Sequence, residues 1–537
     1  MPLAATRDDS VTALLTEALA ESATHAAIAI PDSFGGWFDL SLAEFLDRAE
    51  ALARGFLASG LEPGDRIGVL CSTRFESTLV DAATGLVGIA TVPLPPEAGE
   101  TELTAVLEAS GARAVVVETP ADFARFDEIH GDLPLVIDVW QIGLADLDKL
   151  VLAGRRLPDP DFEAAVATAG ADTVLSRHYE TTPDGGLRLH TLTHAVAAIR
   201  VRALAEVLAE ATGPSASTLL VLPATDPHAR LTTLLALFTG TRLGHLADPS
   251  ALLPTLASFR PTLLVADPAL FEGIDEAASV RAQESGRTTA LRQARDVALE
   301  YATALESGSV PTWLKTRFAL ADALVLRGLR KTAGGRLRHA VALAGTASLP
   351  TRLRLLMRAL DVHPLESYGT PETSGFATIE HFDDASGRAA GGVGRALDGV
   401  EVQVESDGAV RMHGVGIEDP AAGSGSAVAG SVAAGSGASG SVAAGSGASG
   451  EWLDLGLTGR LDDDGRLFLD DREGLLLQET DDGSHDEDAS GDGDLEDDGD
   501  DILQDDEAAP EGDEAPGWNG EVAPTQGSAP KGDGAAG

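Results

Sequence analysis

Apolar positions recur at helical spacing through Leu42–Ser59 (LAEFLDRAEALARGFLAS) and stop before Gly60, which predicts an amphipathic helix. Arg66–Cys71 (RIGVLC) is a short run without polar interruption and reads as a buried strand. Thr78–Ile89 returns to the helical period, ATVPLPP reads as a strand closed by prolines, and Ala112–Val117 (ARAVVV) is the next strand. The same rhythm continues through STLLVLP, PTLLVAD and LRHAVALAG, with a long, mostly helical stretch over Arg281–Leu329. Strand and helix in alternation predict a parallel sheet covered by helices. After about residue 391 the pattern shortens to VEVQVESDGAVRMHG and GRLDDDGRLFLDD, strands broken by Gly-Asp turns. Those read as antiparallel hairpins.

Two stretches carry no such pattern. Residues 421–450 include GSVAAGSGAS at 430–439 and again at 440–449, too small-residued to bury a face, hence a flexible linker. From about 479 to 537 the chain is acidic and predicted to be disordered. Three units follow: an α/β core over 1–390, a small β-rich subdomain over 391–476 interrupted by the linker, and a disordered acidic tail over 477–537.

Composition narrows the function classes. The 537 residues carry 85 acids against 38 bases, a net charge of −47, which opposes binding to nucleic acid or an anionic membrane. Residues 479–521 hold 20 of those acids and no base. Plain solvation accounts for this run better than the alternative, a surface for a basic protein partner. Only four lysines occur (Lys149, Lys315, Lys331, Lys531). The arginine preference of a GC-rich genome explains that better than salt adaptation. A single cysteine, Cys71, excludes an intrachain disulfide framework. The first residues lack a basic stretch followed by an apolar one, and no run of about 18 apolar residues appears, so neither a signal peptide nor a membrane span is expected. The expectation is a cytoplasmic protein.

Laid in order, YETTPDGGLRLHTLTH, LPATD, ESYGTPETSG and WLDLGLTGRLDDDG make the chain resemble the adenylate-forming (AMP-binding) superfamily, and within it the bacterial long-chain fatty acid–CoA ligases. The likeness covers roughly residues 10–476, strongest over Asp172–Arg200, Leu222–Ile274, Thr288–Thr373 and Gly392–Arg472. It implies layered α/β sheets of the adenylate-forming type followed by a small β-rich lobe. It also implies the family reaction: ATP and Mg²⁺ activate a carboxylate as its adenylate, which is then transferred to CoA. A long-chain fatty acid is the substrate so implied.

The resemblance assigns roles residue by residue. The phosphate loop Tyr-Thr-Ser-Gly-Thr-Thr-Gly-x-Pro-Lys-Gly maps onto Tyr179–Leu189, with Tyr179, Thr181 and Gly185 expected at the nucleotide. Arg188 stands for the lysine, Thr182 for a glycine, Pro183 and Asp184 for the two threonines, and Leu189 for the last glycine. Asp184 would repel triphosphate and Pro183 removes a backbone donor. In LPATD, Asp226 takes the place of the acyl-gating histidine, His228 reads as a surface-loop residue, and Arg230 keeps a matching arginine. Gly345 begins Gly-Thr-Ala-Ser where the family has Gly-Gly-Ala-Pro. Tyr368 would stack on adenine with Gly369 beside it, and Glu372 would hold Mg²⁺, while Pro371 replaces a phosphate-contacting threonine.

The ribose-binding aspartate falls on Leu457, which cannot accept a hydrogen bond, and Asp454 and Asp462 nearby read as solvated turn residues. Arg472 matches the hinge arginine. The likeness stops near Leu476, and the lysine-bearing C-terminal domain of the family has no counterpart; Lys531 in PKGDGAAG is no substitute. Asp494, Glu496, Asp498, Gly499 and Asp505 fit a calcium-loop spacing, a pattern that an Asp-rich run meets by chance. The sequence therefore predicts a degenerate ligase homologue, weakly active or inactive, with Glu372 and Arg188 as its remaining catalytic pair. Two alternatives stand beside it. One is an active ligase with a rebuilt site, the other a non-enzymatic interaction protein.

Overall fold

In the computed structural model, residues 10–32, 34–181, 186–345, 347–385, 392–417 and 452–470 are described. The predicted helix forms over Leu42–Ala58. Ser41 caps it, accepting from the Glu44 amide at 3.3 Å while the Glu44 carboxylate accepts from the Ser41 amide at 2.8 Å. Leu42, Phe45, Ala49, Leu52, Ala53 and Phe56 form its buried stripe. Its contact with the helix Asp146–Gly154 is backbone on backbone. A Cβ at Gly55 would lie 2.5 Å from the Leu150 carbonyl, so only glycine permits the crossing.

Two sheets organise the described residues. The smaller has six strands in the order Asp138–Gln141, Ala114–Val117, Arg66–Leu70, Ala90–Leu94, Val174–Thr181 and Leu187–Thr193. The first five run parallel and the last closes an antiparallel hairpin with its neighbour. The larger has thirteen strands. Its parallel centre comprises Ala26–Pro31, Arg242–His245, Ser217–Leu220, Leu263–Ala266, His339–Leu343 and His363–Thr370. Trp37–Ser41 forms one antiparallel edge. At the other edge the sheet continues antiparallel through Gly375–Ile379, Gly392–Ala396, Arg466–Leu469, Leu453–Leu461, Ala409–Gly414 and Val400–Val404. The short C-terminal strands are thus joined edge-on to the main sheet.

Helices carry the core between these layers. The largest apolar cluster draws on Leu42–Ala58, Phe75–Leu86, His194–Val207 and Pro227–Thr239. A second lies under the helical insert, where Pro268–Glu284, Thr288–Glu306 and Thr312–Thr332 cover the other face of the large sheet. A third cluster, around Tyr368, Val393, Met412, Leu453, Leu457 and Leu467, fills the space under the C-terminal strands. Arg200, fully buried, ties helix to lobe by donating to the Asp398 and Val415 carbonyls at 3.2 and 2.8 Å. No described helix is long and apolar enough to cross a membrane.

Candidate functional site

The site lies where the small-sheet hairpin meets the carboxyl end of the strand His363–Thr370. In parallel α/β sheets such ends open into crevices that hold ligands. On the hairpin, Tyr179 pairs with Leu189, Glu180 with Arg188 and His178 with His190. Alternation along the strands then puts His178, Glu180, Arg188 and His190 on one face and Tyr179 with Leu187 on the other. Tyr179 and Leu187 pack against the apolar cluster of the small sheet, and burial pushes the Tyr179 phenol up. The polar face meets the single turn Pro371–Thr373. Thr373, buried, fixes that turn by accepting from the Thr370 amide at 2.9 Å and donating to the Gly375 carbonyl at 2.7 Å.

Arg188 and Glu372, 184 residues apart, come together: Nη1 of the guanidinium is 3.2 Å from Oε1 of the carboxylate. The same Nη1 is 3.7 Å from Oε2 of Glu180, and that oxygen is 3.5 Å from Nε2 of His190. The nearby His190 ring is the main influence holding Glu180 below its usual carboxylate value. Burial opposes it and Arg188 adds to it. Sequence reasoning passed over Glu180 and His190. The signal was present, since HYE and RLH place them two positions from His178 and Arg188 on a hairpin, where period-two alternation unites them.

Tyr368 is buried in the third apolar cluster, alongside Leu457. Gly369 follows it at a bulge, and a Cβ there would lie 2.0 Å from the Gly375 carbonyl oxygen, so its role in this fold is close packing. Gly345 ends the stretch after His339–Leu343, where a Cβ would meet nothing within 4 Å. Thr181 pairs with Leu187 at the mouth of the hairpin. Gly185 and Arg472 lie outside the described residues, as do Thr182, Pro183, Asp184, the repeat and the acidic tail.

His228 corrects the sequence reading. It is buried, not on a surface loop: Nδ1 is 2.8 Å from Oδ1 of Asp226, and the ring stands edge-on to Phe376 at 4.7 Å. Asp226 caps the helix Pro227–Thr239 through the His228 amide at 2.8 Å. Burial alone would raise its carboxyl, but His228 outweighs that and lowers it. Arg230 is buried beside it, donating to Asp81 at 3.0 Å and Thr91 at 2.9 Å. Asp454, more than half exposed, sits on the strand Leu453–Leu461 and not on a turn, accepting from the Gly456 amide, whereas Asp462 lies at a turn, half-buried, and accepts from the Arg466 amide.

The donor set can be weighed against the groups the resemblance implies. Glu372 and Glu180 are hard oxygen ligands and suit Mg²⁺. Leu457, 5% exposed among apolar side chains, offers a ribose hydroxyl nothing. The residues present thus fit the ion better than the nucleoside.

The fold and the position of the site at a strand end leave the family to be settled by comparison. The model of the AMP-binding enzyme family matches residues 16–416, so the chain belongs to that family. Among curated relatives, it is 28% identical over 383 residues to the long-chain-fatty-acid–CoA ligase FadD15 of Mycobacterium bovis, covering 71% of this chain and 63% of that protein. The FadD15 of Mycobacterium tuberculosis gives the same identity and coverage. The chain therefore spans under two thirds of the length of these relatives.

Solved structures agree on the fold. The N-terminal domain of FACL13 from Mycobacterium tuberculosis superposes with a TM-score of 0.59 at 20% identity, over 86% of this chain and all of that one. The anthranilate CoA ligase AuaEII in complex with anthranoyl-AMP gives 0.60 at 15% identity, over 86% and 76%.

Proposed function

We propose that this chain is a fatty acid–CoA ligase-type protein whose own adenylation activity is weak or absent. The observation that carries the reading is the 3.2 Å pairing of Arg188 with Glu372. By resemblance the first should meet ATP phosphates and the second Mg²⁺; here each satisfies the other. Leu457 in place of the ribose acid adds a second deficit. Losing one positioned electrostatic group costs about 10²–10³ in rate, and two or more such losses bring turnover near background. ATP, Mg²⁺ and CoA are the co-substrates this reading assigns by resemblance. The name shared by the two curated relatives supports a long-chain fatty acid as the ligand. The buried, single Cys71 supports a cytoplasmic setting.

The test is ATP–pyrophosphate exchange by the full chain with Mg²⁺ and a long-chain fatty acid, beside a Glu372→Ala control. Equal exchange in both is expected. Exchange clearly above the control would overturn the reading in favour of an active ligase in which Arg188 serves as the phosphate-binding cation.

A further inference from the structure

Glu180, His190 and Glu372 each offer a ligating atom, and these atoms all lie within 4.8 Å of one another. Two come from neighbouring strands of the hairpin and the third from the turn after His363–Thr370. The His190 side chain is 5% exposed and so held by packing, whereas Glu180 is 50% exposed and Glu372 20%. A fixed imidazole with two adjustable carboxylates is a workable ligand set. Bonds of about 2.0–2.2 Å require donors roughly 3.3 Å apart, a contraction that carboxylate rotamers supply.

The place already holds positive charge. The Arg188 guanidinium sits 3.2 Å from one carboxylate and 3.7 Å from the other, and at 40% exposure it can swing to solvent. Imidazole nitrogen with carboxylate oxygen suits zinc or cobalt, while Mg²⁺ and Ca²⁺ favour oxygen alone. Glu180 lies in the segment that maps onto the phosphate loop but receives no role of its own from the resemblance, and His190 follows that segment.

We propose that Glu180, His190 and Glu372 bind one divalent transition-metal ion of the zinc or cobalt type, displacing Arg188 as the resident cation. The ion binds without nucleotide, so the site does not depend on the ligase reading. In it the metal links the hairpin to the turn, replacing an ion pair by three coordinate bonds.

Cobalt(II) titration of the full-length protein in the absence of nucleotide, followed by visible absorption, tests this, with zinc(II) calorimetry alongside. One tight equivalent with an intense absorption band is expected, resistant to excess Mg²⁺. Glu180→Gln and His190→Gln should each weaken it at least about tenfold, and Arg188→Ala should tighten it about threefold or more by removing the competitor. Circular dichroism checks the fold of each variant. Should His190→Gln fail to fold, the half-exposed Glu180→Gln decides alone. Weak binding of several equivalents that is the same in every variant would assign the metal to other carboxylates and overturn the proposal. Pyrophosphate exchange, measured separately, fails or succeeds independently of this result.

Discussion

His178, His194 and His245 are enclosed at the junction of the two sheets, and burial drives all three imidazoles toward the neutral form. Burial, with Arg230 nearby, brings His178 down to about 4 and His194 to about 4, and burial alone brings His245 to about 3. In the unfolded chain a histidine takes up its proton near pH 6.5. Between about 6.5 and 4 the unfolded state therefore binds more protons, and stability falls as pH falls through that window. Each group contributes up to about 1.4 kcal/mol per pH unit. His194, for which neither ring nitrogen has a hydrogen-bond partner among the described residues, is the cleanest probe. Urea midpoints measured from pH 7 to 4 should decline steeply in the parent and less steeply in His194→Leu. An unchanged slope would mean that His194 titrates normally in the fold.

At the scale of elements, one buried side chain joins three segments. Arg354, on the helix Thr351–Ala359, is bound to Glu366 on the strand that leads to Glu372. It is also 3.3 Å from Glu380, just beyond the next strand. The Glu366 amide donates to Glu380 at 2.7 Å, so the cluster also sets the register of the two strands. Removing the cation leaves two facing buried carboxylates, which typically costs about 3–5 kcal/mol. Arg354→Met should lower stability by that amount in chemical denaturation, with Arg354→Lys intermediate. A loss below about 1 kcal/mol would show that one carboxylate simply takes a proton.

The elements themselves were legible because each is driven by local pattern. The helix predicted over Leu42–Ser59 and the strand over Arg66–Cys71 form within a residue or so, over Leu42–Ala58 and Arg66–Leu70. The insert also folds as expected, into successive helices. Motif position singled out Arg188 and Glu372 separately, one for phosphates and one for Mg²⁺, but not their pairing with each other. Glu180, His190 and the buried state of His228 were not legible in that way. Reading 179–194 as a loop motif hid its strand alternation. His228 is covered by Phe376 from a strand about 150 residues away, a tertiary fact that no local window contains.

Charge acts over the whole molecule. With a net −47, self-repulsion opposes compactness even though local pairs such as Arg74–Glu118 at 2.7 Å are well made. Salt shortens the Debye length from about 30 Å at 0.01 M to about 3 Å at 1 M, screening long-range repulsion more than these half-buried contacts. The thermal midpoint should therefore rise as NaCl is added over that range. A fall would mean that ion pairs, not net charge, govern stability.

Leu457 has a consequence for reversibility. It shares its apolar surroundings with Tyr368, Val393 and Met412, so position 457 is a wall of the core as much as a missing ligand. An aspartate restored there would be drawn out of water among hydrocarbon, and the surroundings of Tyr368 would loosen with it. A route back to nucleotide binding thus needs several coordinated replacements, because each single step first passes through a less stable protein.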